Sequence, residues 1–204
     1  MTLLSLLEHP RHTDHIRLRD GSTLTVRLVA PTESETLRGY FRGLSVRSRY
    51  NRFLGGMSEL PASELDHFVH AGENDRFSVI AGVMVAGRDV VVGVARYGFE
   101  AATAHFEFGI SIDDRWQRRG IGSSLMANLE CRAAALGVTT IFGDTLRSNE
   151  GMISLARKMG YAFARHPDDW KLVRFDKSID PVRPNISCTS WKLVAERRMA
   201  QAIV

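Results

Sequence analysis

Residues 105–122 read His105-Phe106-Glu107-Phe108-Gly109-Ile110-Ser111-Ile112-Asp113-Asp114-Arg115-Trp116-Gln117-Arg118-Arg119-Gly120-Ile121-Gly122. From Ala104 to Ile112 apolar and polar residues alternate with period two, the mark of a half-buried strand. Phe106, Phe108, Ile110 and Ile112 fall on one face, the candidate core; His105, Glu107, Gly109 and Ser111 fall on the other. So polar and small a second face is unexpected in a central strand unless a cleft lies over it. Beyond Asp113-Asp114 an arginine-rich turn runs into Gly120-Ile121-Gly122-Ser123, which opens a helix reaching about Leu136, with Gly137 as its stop. A helix N-terminus carries unpaired N–H groups and a partial positive charge, and so receives phosphate. Glycines at 120 and 122 clear the side chains that would hold a pyrophosphate off the backbone. Arg115, Arg118 and Arg119 add positive charge. A dinucleotide fingerprint needs a third glycine where Leu125 stands, and the Gly-Lys-Ser/Thr of a triphosphate loop is absent. On the local pattern alone, glycines serving only the tight packing of a helix start remain an open alternative.

Working outward, Ile16 to Ala30 reads as two short strands joined at Asp20-Gly21. Pro31 to Glu35 looks like a helix start, followed at helical spacing by Leu37, Tyr40, Phe41 and Leu44. Pro61 to Glu64 opens another short helix with Leu65, Phe68 and Val69 on its apolar side. Phe77–Val85 and Val90–Phe99 form an antiparallel pair separated by Ala86 to Asp89. After the central helix come a strand, Val138–Leu146, a helix, Asn149–Met159, stopped by Gly160, and two strands, Tyr161–Arg165 and Lys171–Phe175. The order implies a mixed α/β sheet. Residues 16–176 are expected to form one domain, with extensions at 1–15 and 177–204; Trp191 to Val194 could add a strand, pack on the domain or meet a second subunit.

The chain has 204 residues, 44% of them hydrophobic, with a net charge of +4, which suits a soluble globular protein with a sizeable core. No apolar run is long enough to span a bilayer, and Met1 to Leu7, though leucine-rich, lacks a basic leader and a cleavage site. The mild arginine-rich excess suits an anionic ligand, but no basic block marks a nucleic-acid arm. Cys131 and Cys188 stand far apart without metal-ligand spacing and read as small buried thiols in a reduced, cytoplasmic setting. No metal is expected.

The stretch Glu107 to Gly122 resembles the signature of the GNAT superfamily of N-acetyltransferases, Arg/Gln-x-x-Gly-x-Gly/Ala after a strand, and Asn149 to Tyr161 resembles that family's asparagine-led helix with its closing Gly-aromatic pair. Arg17-Leu18-Arg19-Asp20-Gly21, Ser48-Arg49-Tyr50-Asn51-Arg52-Phe53 and Leu155 to Tyr161 are further similar to the acetyltransferase domain of bacterial Pat-type protein-lysine acetyltransferases, over about residues 16 to 175. The resemblance implies a mostly antiparallel sheet whose middle strands, 104–112 and 138–146, splay apart, with flanking helices. It implies acetyl-CoA as cosubstrate: the backbone of Ile110 and Ile112 pairing with the pantetheine arm, the turn from Gln117 to Ser123 (Arg118, Arg119, Gly120, Ile121 and Gly122 between them) cradling the pyrophosphate, and Asn149 near the thiol end. It also implies a stand-alone catalytic unit, without the large nucleotide-binding domain that some Pat-type proteins carry.

Acetyl transfer to an amine needs a neutral nucleophile, and a carboxylate in a partly desolvated cleft can take the proton. Glu107 has the right face and aligns with the glutamate base of Pat-type enzymes; the competing reading is a strand carboxylate held by Arg96 or another arginine. His105 is a weaker base candidate and reads better as a hydrogen-bonded structural residue. A free backbone N–H where the strands part, at Ile112, is the expected oxyanion donor. Ala156 stands where many GNAT enzymes carry a tyrosine acid, a departure shared by the Pat-type subgroup, so the donor to the leaving thiolate has no assigned side chain. Arg49, Tyr50 and Arg52 could meet the acceptor or lie on a solvated helix. The expected acceptor is a primary amine, with a protein lysine leading. The alternatives are a small amine (amino acid, polyamine or antibiotic), or a catalytically weak acyl-CoA-binding regulator. Nucleic acid is a poor fit, and a homodimer is compatible with the sequence.

Overall fold

The computed structural model describes residues 13–56, 59–70, 76–100, 105–180 and Cys188. Among them, eight strands make one sheet: β1 (Thr13–Arg17), β2 (Thr23–Leu28), β3 (Arg76–Val85), β4 (Arg88–Glu100), β5 (His105–Ile112), β6 (Thr140–Leu146), β7 (Ala162–Arg165) and β8 (Leu172–Ser178), in the order β1-β2-β3-β4-β5-β6-β8-β7. All neighbours run antiparallel except β5 and β6, which are parallel. The helices are α1 (Ser34–Gly43), α2 (Val46–Phe53), α3 (Ala62–Val69), α4 (Ile121–Ala135) and α5 (Glu150–Lys158), with single 3-10 turns at Pro31–Glu33 and Asp114–Trp116. This is the mixed, mostly antiparallel α/β architecture expected from the sequence. β1 begins at Thr13 and β8 ends at Ser178, so the sheet reaches past both ends of the 16–176 span. Residues 1–12 and Trp191 to Val194 lie outside the described residues. No helix among the described residues is long and apolar enough to cross a membrane.

Local chemistry sets the turns. Gly21 adopts φ +85° while the Asp20 carboxylate accepts from the Ser22 N–H at 2.9 Å, closing the β1–β2 hairpin. The β3–β4 turn is shorter than the expected Ala86–Asp89: Val85 already pairs with Arg88, leaving Ala86 (φ 48°) and Gly87 (φ 77°) as a two-residue loop. Two positive φ values match the right-handed twist of the strands, and this is what tightens the hairpin.

The sheet is covered on both faces. On one, α4 brings Leu125, Met126 and Leu129 against Leu24, Val26, Val79, Ala95 and Phe106. On the other, α1 and α3 bring Leu37, Phe41, Leu65 and Phe68 against Ile80 and Val94. A buried polar group joins β1 to α4: Asn128 donates to Asp14 at 2.7 Å, and Arg132 donates to Asn128 at 2.9 Å and to Asp14 at 3.2 Å. Cys131 and Cys188 are both buried, as expected, but they are bonded in a disulfide rather than free. Folding brings two residues 57 apart in sequence to a Cα separation of 6.0 Å, a proximity that two isolated cysteines do not announce. The thiol-based argument for a reduced compartment falls with it.

Candidate active site

The site begins where two neighbouring strands part. β5 and β6 pair only over His105–Thr140, Phe106–Ile141 and Glu107–Phe142. Beyond that, β5 stays with β4 as far as Gly93–Ile112, while β6 stays with β8 as far as Leu146–Leu172. Gly143 stands at the vertex: a Cβ there would lie 2.8 Å from the Phe108 carbonyl and 2.6 Å from the Phe175 ring. The Asp113 N–H donates to the Val92 carbonyl at 2.9 Å, so the alternate peptide groups of Phe108, Ile110 and Ile112 face away from β4 and into the gap. The Ile112 carbonyl there accepts from the Gln117 side chain at 3.1 Å. β5 thus offers a free strand edge inside the sheet.

The turn at the open end is held by its own side chains. Asp113 accepts from the Arg115 backbone at 2.9 Å and takes the Arg115 guanidinium in a two-pronged pair at 3.0 and 2.7 Å, which holds its carboxyl below the usual range. Arg118 (φ 61°) and Gly120 (φ 88°) both take left-handed conformations before α4 starts at Ile121. Alternating backbone hand of this kind points successive N–H groups to one side, the geometry of an anion-receiving nest. A Cβ at Gly120 would meet nothing within 4 Å, so that glycine serves backbone conformation. A Cβ at Gly122 would lie 2.9 Å from Leu155 Cδ2, so that glycine also gives room to the Leu155 side chain.

A cleft of about 1070 Å³ runs through the gap, lined by Ile110, Ile112, Gln117, Arg118, Gly120, Gly122, Ser123 and Asn149. Two expected residues stand apart from its lining. Ile121 is 1% exposed and belongs to the core, and the Arg119 guanidinium lies over the Trp116 ring at 4.7 Å. Arg115 is spent on Asp113. Asn149 caps α5, accepting from the Met152 N–H at 3.2 Å and donating to Thr145 Oγ1 at 3.0 Å.

The polar face of β5 lines another side of the same cleft with Glu107, Gly109 and Ser111. Glu107 is exposed to the cleft and, among the described residues, its carboxylate has no ion pair or hydrogen bond. The competing partner, Arg96, lies instead opposite Gly109, 3.8 Å from Glu64 and over the Phe68 ring at 5.2 Å. Ser111 accepts from the Tyr40 hydroxyl at 3.0 Å; burial pushes that phenol up, so it stays protonated. His105 is exposed at the strand start, edge-on to Phe142, and does not reach the cleft.

Over this face lies α2, a helix with no buried residue. It is held by polar contacts that the sequence did not single out. Asp114, just after β5, accepts from the Ser45 N–H and hydroxyl, both at 2.9 Å, and from the Ser48 hydroxyl at 2.7 Å. Burial pushes the Asp114 carboxyl up, but these bonds outweigh it and hold it below its ordinary value. Arg49 is structural, its guanidinium donating to the Leu44 carbonyl at 2.7 Å, and Tyr50 is exposed, while Arg52 enters the cleft. On the opposite wall Asp144 binds Arg174 at 2.9 and 2.8 Å and faces His166 Nε2 at 3.4 Å. Ser45 caps α2 by accepting from the Ser48 N–H at 3.1 Å, and Asp114 joins them from 66 residues on.

The profile of the Acetyltransferase (GNAT) family matches residues 33–161. An acetyltransferase of Pseudomonas aeruginosa is 27% identical over 152 residues, covering 74% of this chain and 82% of that protein. Among solved structures, the GNAT domain of S. lividans PAT superposes with a TM-score of 0.74 at 26% identity, over 84% of this chain and all of that one. The spermidine N-acetyltransferase of Vibrio cholerae, solved with CoA and spermine, shares the fold at a TM-score of 0.63 and 14% identity, over 76% of this chain and 95% of that one.

Proposed function

The chain belongs to the GNAT acetyltransferase family, and from that premise we propose that it moves an acetyl group from acetyl-CoA to the side-chain amine of a protein lysine, with Glu107 as the base. The observation that carries this reading is the position of Glu107: unpaired, open to the cleft, and on the strand whose free edge lines the gap. Support for the lysine comes from the likeness to the S. lividans PAT domain.

The residues fit acetyl-CoA. The free edge at Ile110 and Ile112 suits the amide-bearing pantetheine arm, which pairs as a strand would. The left-handed turn at Arg118 and Gly120 suits the pyrophosphate, with the backbone from Gln117 to Ser123, through Arg119, Ile121 and Gly122, facing it and the α4 dipole behind it. Asn149 lines the cleft at the start of α5, the end assigned to the thiol. Acetyl-CoA supplies the acyl group as an activated thioester.

The chain's own work is proton handling and placement. A lysine ammonium with a pKa near 10.4 leaves about one amine in two thousand neutral at pH 7. Glu107, directly or through one water, takes the proton as the amine is held above Gly109. The N–H of Ile112, facing the gap, is placed to donate to the carbonyl oxygen. Ala156 is fully buried and has no proton to give, so the donor to the leaving thiolate has no assigned side chain.

Purified protein incubated with labelled acetyl-CoA, a cell lysate and a panel of small amines tests the reading. Label in macromolecules, lost on the order of 100-fold in Glu107→Gln with acetyl-CoA binding retained, is the expected outcome. Label confined to small amines ends the lysine assignment, and an unchanged rate in E107Q removes Glu107 from the chemistry. Binding without turnover on any acceptor leaves a regulator.

A further inference from the structure

Arg52 is placed as no other cation of the cleft is. Its guanidinium lies against β5 at Gly109, where a Cβ would stand 2.9 Å from Nη1 and 3.4 Å from Cζ, so a side chain there would push the guanidinium from its seat. The rings of Phe53 and Phe68 approach it at 5.7 Å each. Its Nε is buried without a partner, and among the described residues no carboxylate forms an ion pair with it. Arg96, across the ladder from Gly109, shares the Phe68 ring and is engaged by Glu64. Burial, with Arg96 adding to it, pushes the Arg52 guanidinium down to about 10, which still leaves it charged at neutral pH.

Glu107 and Glu64 act on Arg52 from a distance without bonding it, so its donors stay open to an anion that enters the cleft. The planar donors of arginine match a carboxylate in a two-pronged pair. We propose that Arg52, seated in the Gly109 notch beside Glu107, is the carboxylate-recognising residue of the acceptor subsite, so that preferred acceptors carry a carboxylate close to the reacting amine. The inference rests on the transferase reading above and narrows its substrate class. Glu107 and Gly109 are two residues apart on one face, about 7 Å along the strand. An acceptor that presents its amine to Glu107 and its anion to Arg52 spans no more than that. Two sources have this chemistry: the carboxylate of a free amino acid, and an Asp or Glu side chain beside the target lysine of a protein. Polyamines, with cations at every position, meet Arg52 unfavourably.

The test compares kcat/KM for matched acceptors in wild type, Arg52→Gln and Arg52→Lys. One arm sets amino acids against their amides, another sets lysine peptides with a flanking Glu against the same peptides with Gln, and spermidine serves as the cationic control. The expected result is a preference of about 10- to 100-fold for the carboxylate in one of the first two arms, the size of a charge-assisted hydrogen bond. That preference falls toward unity in R52Q and to an intermediate value in R52K, with acetyl-CoA affinity by calorimetry unchanged. The arm in which it emerges identifies the source. Should R52Q fail to melt cooperatively, a preference reduced several-fold in R52K carries the result. Acetylation without carboxylate preference, or a preference that survives both substitutions, overturns the role of Arg52 alone; no acetylation of any acceptor overturns the transferase reading and this one with it.

Discussion

Replacing Gly122 by alanine separates two reasons for a glycine at the start of α4. The new methyl would lie 2.9 Å from Leu155 Cδ2, with Leu155 Cδ1 and Ile112 Cγ1 at 3.9 and 4.0 Å. Carbon pairs rest at about 3.5–4.0 Å, so one contact is too short by roughly 0.6–1 Å. Overpacking costs about 1–3 kcal/mol and falls in the lower part of that range, about 1–2 kcal/mol, because Leu155 Cδ2 is the free end of a half-buried side chain; alanine in place of glycine in a helix returns up to about 1 kcal/mol. The single variant G122A is therefore destabilised by about 0–2 kcal/mol. In a Leu155→Ala background the clash is gone and the same change becomes neutral or stabilising, giving a coupling of about 1–2 kcal/mol. Urea unfolding of the four proteins measures the cycle. Additivity within about 0.5 kcal/mol refutes the packing argument. CoA titration of the same set shows the second reason: if the methyl also obstructs the pyrophosphate, affinity stays low in the double variant although stability has recovered.

Other consequences are as direct. Arg132→Met removes the guanidinium that Asp14, 7% exposed, binds at 3.2 Å, and should lower unfolding stability by about 3 kcal/mol; a loss under 1 kcal/mol by urea titration argues against a structural role for that buried pair. The Cys131–Cys188 bond closes a 57-residue separation, worth about 4 kcal/mol by loop-closure entropy, so reductant or Cys188→Ser should lower the melting temperature; two free thiols titrated in the native protein contradict the bond. Asp113, held down by Arg115, and Asp114, held down by Ser45 and Ser48 against its burial, both sit below their ordinary value when folded. The unfolded chain therefore binds more protons between the folded values and about 3.9, so this stability is intact above about pH 5 and fades as pH falls below about 4. Melting profiles from pH 3 to 7 check it: Asp114→Asn should show a shallower acid loss, and a profile parallel to wild type removes Asp114 from the account.

Most of the fold could be read before the structure because its signals are local. Alternation along Phe106 to Ile112 marks β5, the polar set Glu107, Gly109 and Ser111 announces a cleft, and Gly137 and Gly160 stop helices with φ of +76° and +82°. Long-range placement escaped for a physical reason: it depends on which surfaces meet. Arg49 and Arg52 look alike in sequence, three residues apart on one helix, yet one binds the carbonyl of Leu44 and the other reaches the cleft. Arg119 reads as one more charge on the turn, and its place over the Trp116 ring could not be read from the sequence. Asp114 reads as a turn residue until Ser45 and Ser48 arrive from 66 to 69 residues upstream.

The parting of β5 from β6 has a consequence for the protein's behaviour among its neighbours. Unsatisfied strand edges at the rim of a sheet invite pairing with other chains, and proteins guard them with charge, bulges or covering segments. Here the open peptide groups of Ile110 and the N–H of Ile112 lie indoors, with β4 at their back and the β6–β8 wall in front, while the Ile112 carbonyl is taken by Gln117. An incoming strand from another chain would have to fit between these two walls, where one at the rim of a sheet would meet no such barrier. The chain keeps a hungry edge for its small-molecule guest without offering it as a seed for aggregation.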